Sequence, residues 1–195
     1  AMDVGKPIME AEDVDIPYSI RAMEYFANQA REIKGEVIPL PGNVAFDWVS
    51  YEPYGVVAGI TPWNFPLHLA TRCVCPAIAV GNTVVLKPSS LAPITPTILG
   101  EILLEAGIPA GVVNIVNGPG DTTGEALSTH PDVRMISFTG SVAVGKRLLE
   151  MSAKSPIIKK VILELGGKGP FIAEPDCDID GAVNSLIVGF CLMQG

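Results

Sequence analysis

VVAGITPWNFPLHLATRCVCPAIAVGNTVVLKPSS, residues 56–90, decides the fold. Val56–Ile60 is an apolar run of strand length, closed by the proline-rich break TPWNFP. Leu67–Val80 is an apolar stretch of helix length, ended by Gly81-Asn82. Thr83–Leu86 is a second apolar run, closed by KPSS. Strand, helix and strand in this order read as a crossover between parallel strands. The strands are apolar at consecutive positions, as strands covered on both faces are.

The same alternation continues downstream. Pro96–Ala106 reads as a helix stopped by Gly107, and Val112–Val116 as a strand followed by NGPGDTTG. Asp121–Thr129 is a short helix. Met135–Phe138 is a strand followed by TGS, and Ser141–Ser152 is a helix with Ser141 as its N-cap. Val161–Leu165 is the fifth strand. Asp178–Leu192 is a last helix, with Asp178 or Asp180 near its N-terminus. Five alternations predict an open parallel α/β sheet with helices on both faces. Upstream, Ile16–Ile33 has helical periodicity through Ile20, Met23, Phe26, Ala27 and Ala30. Val37–Leu40 and Val44–Tyr51 read as a hairpin turning at Pro41-Gly42-Asn43, a flap or an oligomerisation ribbon. The expected division is therefore an N-terminal helix and hairpin, residues 1–54, and a sheet domain, residues 55–195.

Composition narrows the function. In 195 residues the hydrophobic fraction is 48% and the charged fraction 17%, below the usual ~25%. Mean hydropathy is +0.39, so part of the apolar surface is expected to pack on something outside this chain. No uninterrupted apolar run reaches the ~18 residues of a membrane span. A net charge of −8 with no Lys/Arg cluster argues against a nucleic-acid partner. Cys73, Cys75, Cys177 and Cys191 match no zinc spacing, and His68 and His130 stand apart from them, so no metal site is expected. The four read as buried, reduced thiols of a cytoplasmic protein. AMDVGKP carries no targeting character. FCLMQG ends inside an apolar helical pattern without a cap, so both ends read as cut from something longer.

Each candidate functional residue follows a strand. Asn64 follows the first, Lys87 the second, Gly118, Gly120 and Gly124 the third, and Thr139-Gly140-Ser141 the fourth. Glu164-Leu165-Gly166-Gly167 closes the fifth. Ligands of open α/β sheets sit outside the carboxyl ends of the strands, so the five signatures share one edge. Glu164 ends an apolar strand. Burial there would raise its pKa and make it a general base; the alternative is a structural strand-end carboxylate. Pro62 and Pro66 hold Asn64 rigidly between Trp63 and Phe65, and its amide suits an oxyanion; a plain Asx turn is the alternative. Lys87 ends a buried strand, where it could hold a ribose hydroxyl or phosphate, or snorkel to the surface. GPGDTTG is not the GxGxxG fingerprint. Gly140 and Ser141 open a helix whose N-terminus could take a phosphate, or Ser141 is an ordinary cap.

PWNFP, LKPSS, FTGSVAVG and LELGGK, in this order and spacing, closely resemble the aldehyde dehydrogenase superfamily over essentially the whole chain. The resemblance implies a Rossmann-like cofactor domain. It also implies NAD- or NADP-dependent oxidation of an aldehyde to an acid through a cysteine thiohemiacetal and thioester. It assigns Glu164 as the base that activates water and Asn64 as the oxyanion donor. Cofactor contacts fall on Ile60, Thr61, Pro62, Trp63, Lys87, Ser89, Ser90, Gly120, Gly124, Phe138, Thr139, Gly140, Ser141, Val144, Leu165 and Gly166. Trp63 and Phe65 match the aromatic wall of the aldehyde tunnel. The family's nucleophile follows a GQxC-type motif soon after the helix that ends here in MQG. None of the four cysteines matches it, so the resemblance implies a fragment that is inactive by itself. It also implies a homodimer or homotetramer at full length. Ser90 stands where NAD-preferring members often carry Glu, which leaves room for the 2′-phosphate of NADP. Two other readings compete: a nucleotide-binding module without catalysis, and a CoA-acylating relative, against which a hydrolytic base at Glu164 speaks.

Overall fold

The computed structural model describes residues 1–192. α1 (Ile8–Glu10) passes through a π-helical turn (Ala11–Asp15) into α2 (Ile16–Gln29). β1 (Glu36–Ile38) and β2 (Asp47–Val49) pair antiparallel, Glu36 opposite Val49. The hairpin turns through Pro41–Asn43 as expected, with Gly42 at φ +78°, but its strands are shorter than the sequence suggests, because no buried face sets their extent. Its apolar residues stay exposed, and the Phe46 and Trp48 rings stack on each other 5.3 Å apart.

The remaining strands are β3 (Val56–Ile60), β4 (Thr83–Lys87), β5 (Val113–Ile115), β6 (Val133–Gly140) and β7 (Lys160–Leu165). They form one parallel sheet in the order β5-β4-β3-β6-β7. The connecting helices are α3 (Pro66–Ala79), α4 (Ile94–Glu105), α5 (Glu125–Thr129) and α6 (Val142–Lys154). A π-helical turn (Gly120–Gly124) leads into α5. This is the expected Rossmann-like fold with an added N-terminal helix and hairpin. α4 begins two residues before its expected start, and β6 is longer at both ends than expected.

Alternate residues of each strand feed two cores. Val57, Val84 and Leu86 meet Ala70, Val74 and Leu99 on the α3–α4 face. Ala58, Ile136 and Phe138 meet Leu148 on the α5–α6 face. Leu86, Leu99, Ile136 and Leu148 are each at most 2% exposed, and burying such a side chain contributes about 1.5–3 kcal/mol. Gly59 sets how closely α3 approaches. A Cβ there would lie 2.5 Å from Cys73 Sγ and 2.7 Å from Leu86 Cδ1. Asn82 ends α3, its Nδ2 donating to Ala77 O and its Oδ1 accepting from the Gly55 N–H where β3 begins. α2 packs along α3, so the N-terminal segment is joined to the sheet domain.

β7 departs from the expectation of strands covered on both faces, with Ile162 and Glu164 exposed. It is an edge strand, packed mainly through α6. α7 (Ile179–Cys191) buries no residue. Among the described residues no helix is long and apolar enough to cross a membrane, and no group of side chains is set to hold a metal ion. The MQG end, residues 193–195, lies outside the described residues.

Candidate functional site

The strand order reverses at β3. Its successor β4 lies on one side and β6 on the other, so the loops leaving β3 and β6 diverge and open a crevice. Ile60 is level with both Lys87 and Phe138, and Thr139 is level with Glu164. The expected strand-end residues therefore share one edge.

One cavity, of about 210 Å³, opens on the α5–α6 face. Ile60, Lys87, Gly120, Gly124 and Val144 line it. Lys87 is 3% exposed, and its Nζ donates to Pro88 O at 3.0 Å. Among the described residues no carboxylate lies within ion-pair distance of it. Burial pushes its pKa below the usual lysine value. Lys87 thus does not snorkel. Gly124 packs against the Lys87 stem, where a Cβ would sit in ordinary contact 3.6 Å from Cδ and Cε. An ion pair, Arg147 Nη2 to Glu125 Oε2 at 2.6 Å, joins two residues of the cavity wall.

Ser141 caps α6, its Oγ accepting from the Val144 N–H at 3.3 Å. A Cβ at Gly140 would collide with the Phe138 ring, and one at Gly145 would meet Leu165 Cδ2 at 2.7 Å. Gly140 thus lies where the buried Phe138 ring leaves no room for a side chain, whereas the half-exposed Leu165 could yield at Gly145.

A second cavity, of about 320 Å³, opens on the α3 face. Thr61, Leu69, Arg72, Cys73, Thr139 and Glu164 are among its lining. Glu164 is exposed, so the burial expected from sequence is not met within these residues. The reason is its place on an edge strand. Thr61 donates its N–H to Lys87 O at 3.2 Å, extending the β3–β4 ladder one residue past Ile60. Its Oγ1 is buried without a hydrogen-bond partner in the described residues. Such a hydroxyl costs about 1–3 kcal/mol until something bonds to it.

Asn64, Trp63 and Phe65 line neither cavity. Trp63 is 37% exposed, and Asn64 half-buried. Phe65 is buried, with the Lys6 ammonium 4.5 Å above its ring and His68 edge-on at 5.2 Å. Ser89 Oγ accepts from the Leu91 N–H at 3.2 Å, and Ser90 is exposed. Gly166 stands open.

All four cysteines are free, as expected, but only Cys73 and Cys75 are buried; Cys177 is half-buried and Cys191 exposed. Desolvation pushes the Cys73 and Cys75 thiols up to about 11. Neither is a thiolate nucleophile near neutral pH. Sequence reasoning missed the buried Lys6–Asp15 pair at 3.1 Å. Two lone charges nine residues apart follow no recognisable pattern.

A family model described as the aldehyde dehydrogenase family matches residues 1–195. Human retinaldehyde dehydrogenase 3 is 46% identical over 194 residues, 100% of this chain and 38% of that protein. Human 4-trimethylaminobutyraldehyde dehydrogenase is 47% identical over 191 residues, 98% of this chain and 38% of that protein. The chain thus spans well under half the length of these relatives. A crystal structure of PnpE in complex with nicotinamide adenine dinucleotide superposes with a TM-score of 0.94 at 42% identity, over 99% of this chain and 39% of that one.

Proposed function

Because the chain belongs to the aldehyde dehydrogenase family, we propose that it is the cofactor half of an enzyme that oxidises an aldehyde to a carboxylic acid with NAD or NADP. The observation that carries this reading is Lys87, a buried cation without a carboxylate partner among the described residues, on a cavity walled by Gly120 and Gly124. A ribose diol or phosphate supplies the acceptors such a lysine lacks. In this reading Lys87, Ser89 and Ser90 hold the adenosine end. Gly140, Ser141 and Val144 face the phosphates and adenine from the start of α6. Ile60, Thr61, Pro62, Trp63, Phe138, Thr139, Leu165 and Gly166 take the rest. The bound cofactor supplies a hydride acceptor. A solved structure of an E. coli NADP dependent enzyme, 43% identical with a TM-score of 0.92 over 99% of this chain and 40% of that one, keeps both cofactors open.

Asn64 donates its amide N–H to the oxygen that becomes negative when a cysteine outside these residues attacks the aldehyde. Glu164 takes a proton from the water that cleaves the resulting thioester. Trp63 and Phe65 line the approach of the aldehyde. The high pKa of the Cys73 and Cys75 thiols speaks against either as the nucleophile, and in this reading these 195 residues bind cofactor without turning over aldehyde. Residues 1–54, with their exposed apolar hairpin, form part of the contact between subunits of a homodimer or homotetramer, and residues 55–195 form the cofactor domain. The free cysteines fit the reducing cytoplasm.

The test is NAD(P)H production by the full-length protein with a panel of aliphatic and aromatic aldehydes. Turnover is expected, with Asn64→Ala lowering kcat by about 10²–10³. Cofactor binding without turnover of any aldehyde would overturn this reading and leave a nucleotide-binding module.

A further inference from the structure

Lys6 and Asp15 form a buried ion pair far from the sheet edge in sequence and beside it in space. Their side chains are 1% and 6% exposed, and Lys6 Nζ lies 3.1 Å from Asp15 Oδ2. The other carboxylate oxygen, Oδ1, accepts the His68 N–H at 2.9 Å. His68 is the third residue of α3, where backbone N–H groups lack intrahelical partners. The local N-cap, Phe65, offers no side-chain acceptor. A carboxylate from the turn before α2 thus caps α3, at the helix end that favours negative charge. Lys6 completes the contact by lying 4.5 Å over the Phe65 ring, and Ser19 Oγ donates to Asp15 O at 2.6 Å.

Asn64 lies between two fastenings. Upstream, the Thr61 N–H is held by Lys87 O; downstream, the His68 N–H is held by Asp15. Pro62 and Pro66 stiffen the intervening turn. We infer that Lys6 and Asp15 are positioning residues for the reaction, holding the Thr61–Phe65 turn so that the Asn64 amide meets the oxyanion. This rests on the reading of Asn64 as the oxyanion donor. Asp15→Asn keeps an acceptor for His68 but leaves the Lys6 ammonium buried and unpaired, and Lys6→Met strands the carboxylate. Either change lets the turn drift, and errors near 1 Å are enough to slow a preorganised site.

The experiment is a double-mutant cycle in the full-length protein, reading the pre-steady-state burst of NAD(P)H at saturating aldehyde. Asp15→Asn and Lys6→Met are each expected to slow the burst by about ten-fold or more while the cofactor Kd stays within about two-fold. In an Asn64→Ala background, Asp15→Asn should change the burst by less than about two-fold, because no placed donor remains to misplace. A purely structural pair predicts the opposite, an equal slowing in both backgrounds, and that result overturns the inference. So does a wild-type burst in Asp15→Asn. A wild-type burst in Asn64→Ala would instead overturn the oxyanion reading itself. If Asp15→Asn fails to fold, Asp15→Asn with Lys6→Met, which leaves no lone buried charge, takes its place in the cycle.

Discussion

Replacing Lys87 with methionine separates a cofactor lysine from a structural one. The side chain is 3% exposed, and its ammonium has one bond, to Pro88 O at 3.0 Å, with no carboxylate within ion-pair distance among the described residues. An ammonium carries three donors, and within the described residues one of them is used, on Pro88 O. Methionine has similar length and no charge to desolvate. Lys87→Met is therefore expected to leave the urea midpoint unchanged or raise it. Cofactor should suffer, because a hydrogen bond from a charged donor is worth about 1.5–3 kcal/mol. That range corresponds to a Kd weaker by about 10- to 150-fold. Titration calorimetry of the full-length protein with NAD and NADP reads the change directly. The pH dependence follows from burial, which lowers the lysine pKa from 10.5. Over the window between the lowered value and 10.5 the folded state binds fewer protons than the unfolded one, so stability rises with pH there. Cofactor binding recruits the charged lysine, so affinity falls as pH rises through the lowered pKa. The methionine variant should show neither trend. A Kd within about two-fold of wild type, or a markedly lower urea midpoint, would refute the reasoning and make Lys87 a packing residue.

Glu164→Gln in the full-length protein should spare cofactor binding and slow thioester hydrolysis by about 10²–10⁴, so that acyl-enzyme accumulates in rapid-quench mass spectrometry; an unchanged steady-state rate at neutral pH removes Glu164 as the base. Ser90→Glu adds a carboxylate to the exposed turn after β4. Even a quarter of the ~4 kcal/mol repulsion between close like charges weakens NADP by roughly five-fold while sparing NAD; an unchanged affinity ratio in paired titrations shows that Ser90 does not face the ribose. Gly59→Ala drives a methyl to 2.5 Å from Cys73 Sγ and 2.7 Å from Leu86 Cδ1, and should cost about 1–3 kcal/mol in a denaturant titration; wild-type stability would mean that α3 yields freely.

The alternation of apolar runs with glycine and proline breaks was enough to predict five parallel strands, although the rule that doubly covered strands are apolar throughout does not describe β7, which is exposed at the edge. The helix start at Ser141 was equally plain, because its side chain bonds a backbone three residues away. The placement of candidate site residues at the end of each strand followed from the same alternation. Hairpin length was less legible: the exposed strands β1 and β2 have no buried face to set their extent.

What the sequence by itself determined is local or periodic: the strand and helix content, the shared edge, and the family that PWNFP and LELGGK resemble. Tertiary structure alone decided which strands are neighbours, and so the switch point between β3 and β6. It also decided that Glu164 lies on an exposed edge while Lys87 is buried without a carboxylate partner among the described residues. The capping of α3 by Asp15, 53 residues away, belongs to the same class. Burial and long-range pairing depend on what the fold brings alongside a residue, and a periodic pattern carries no record of those neighbours.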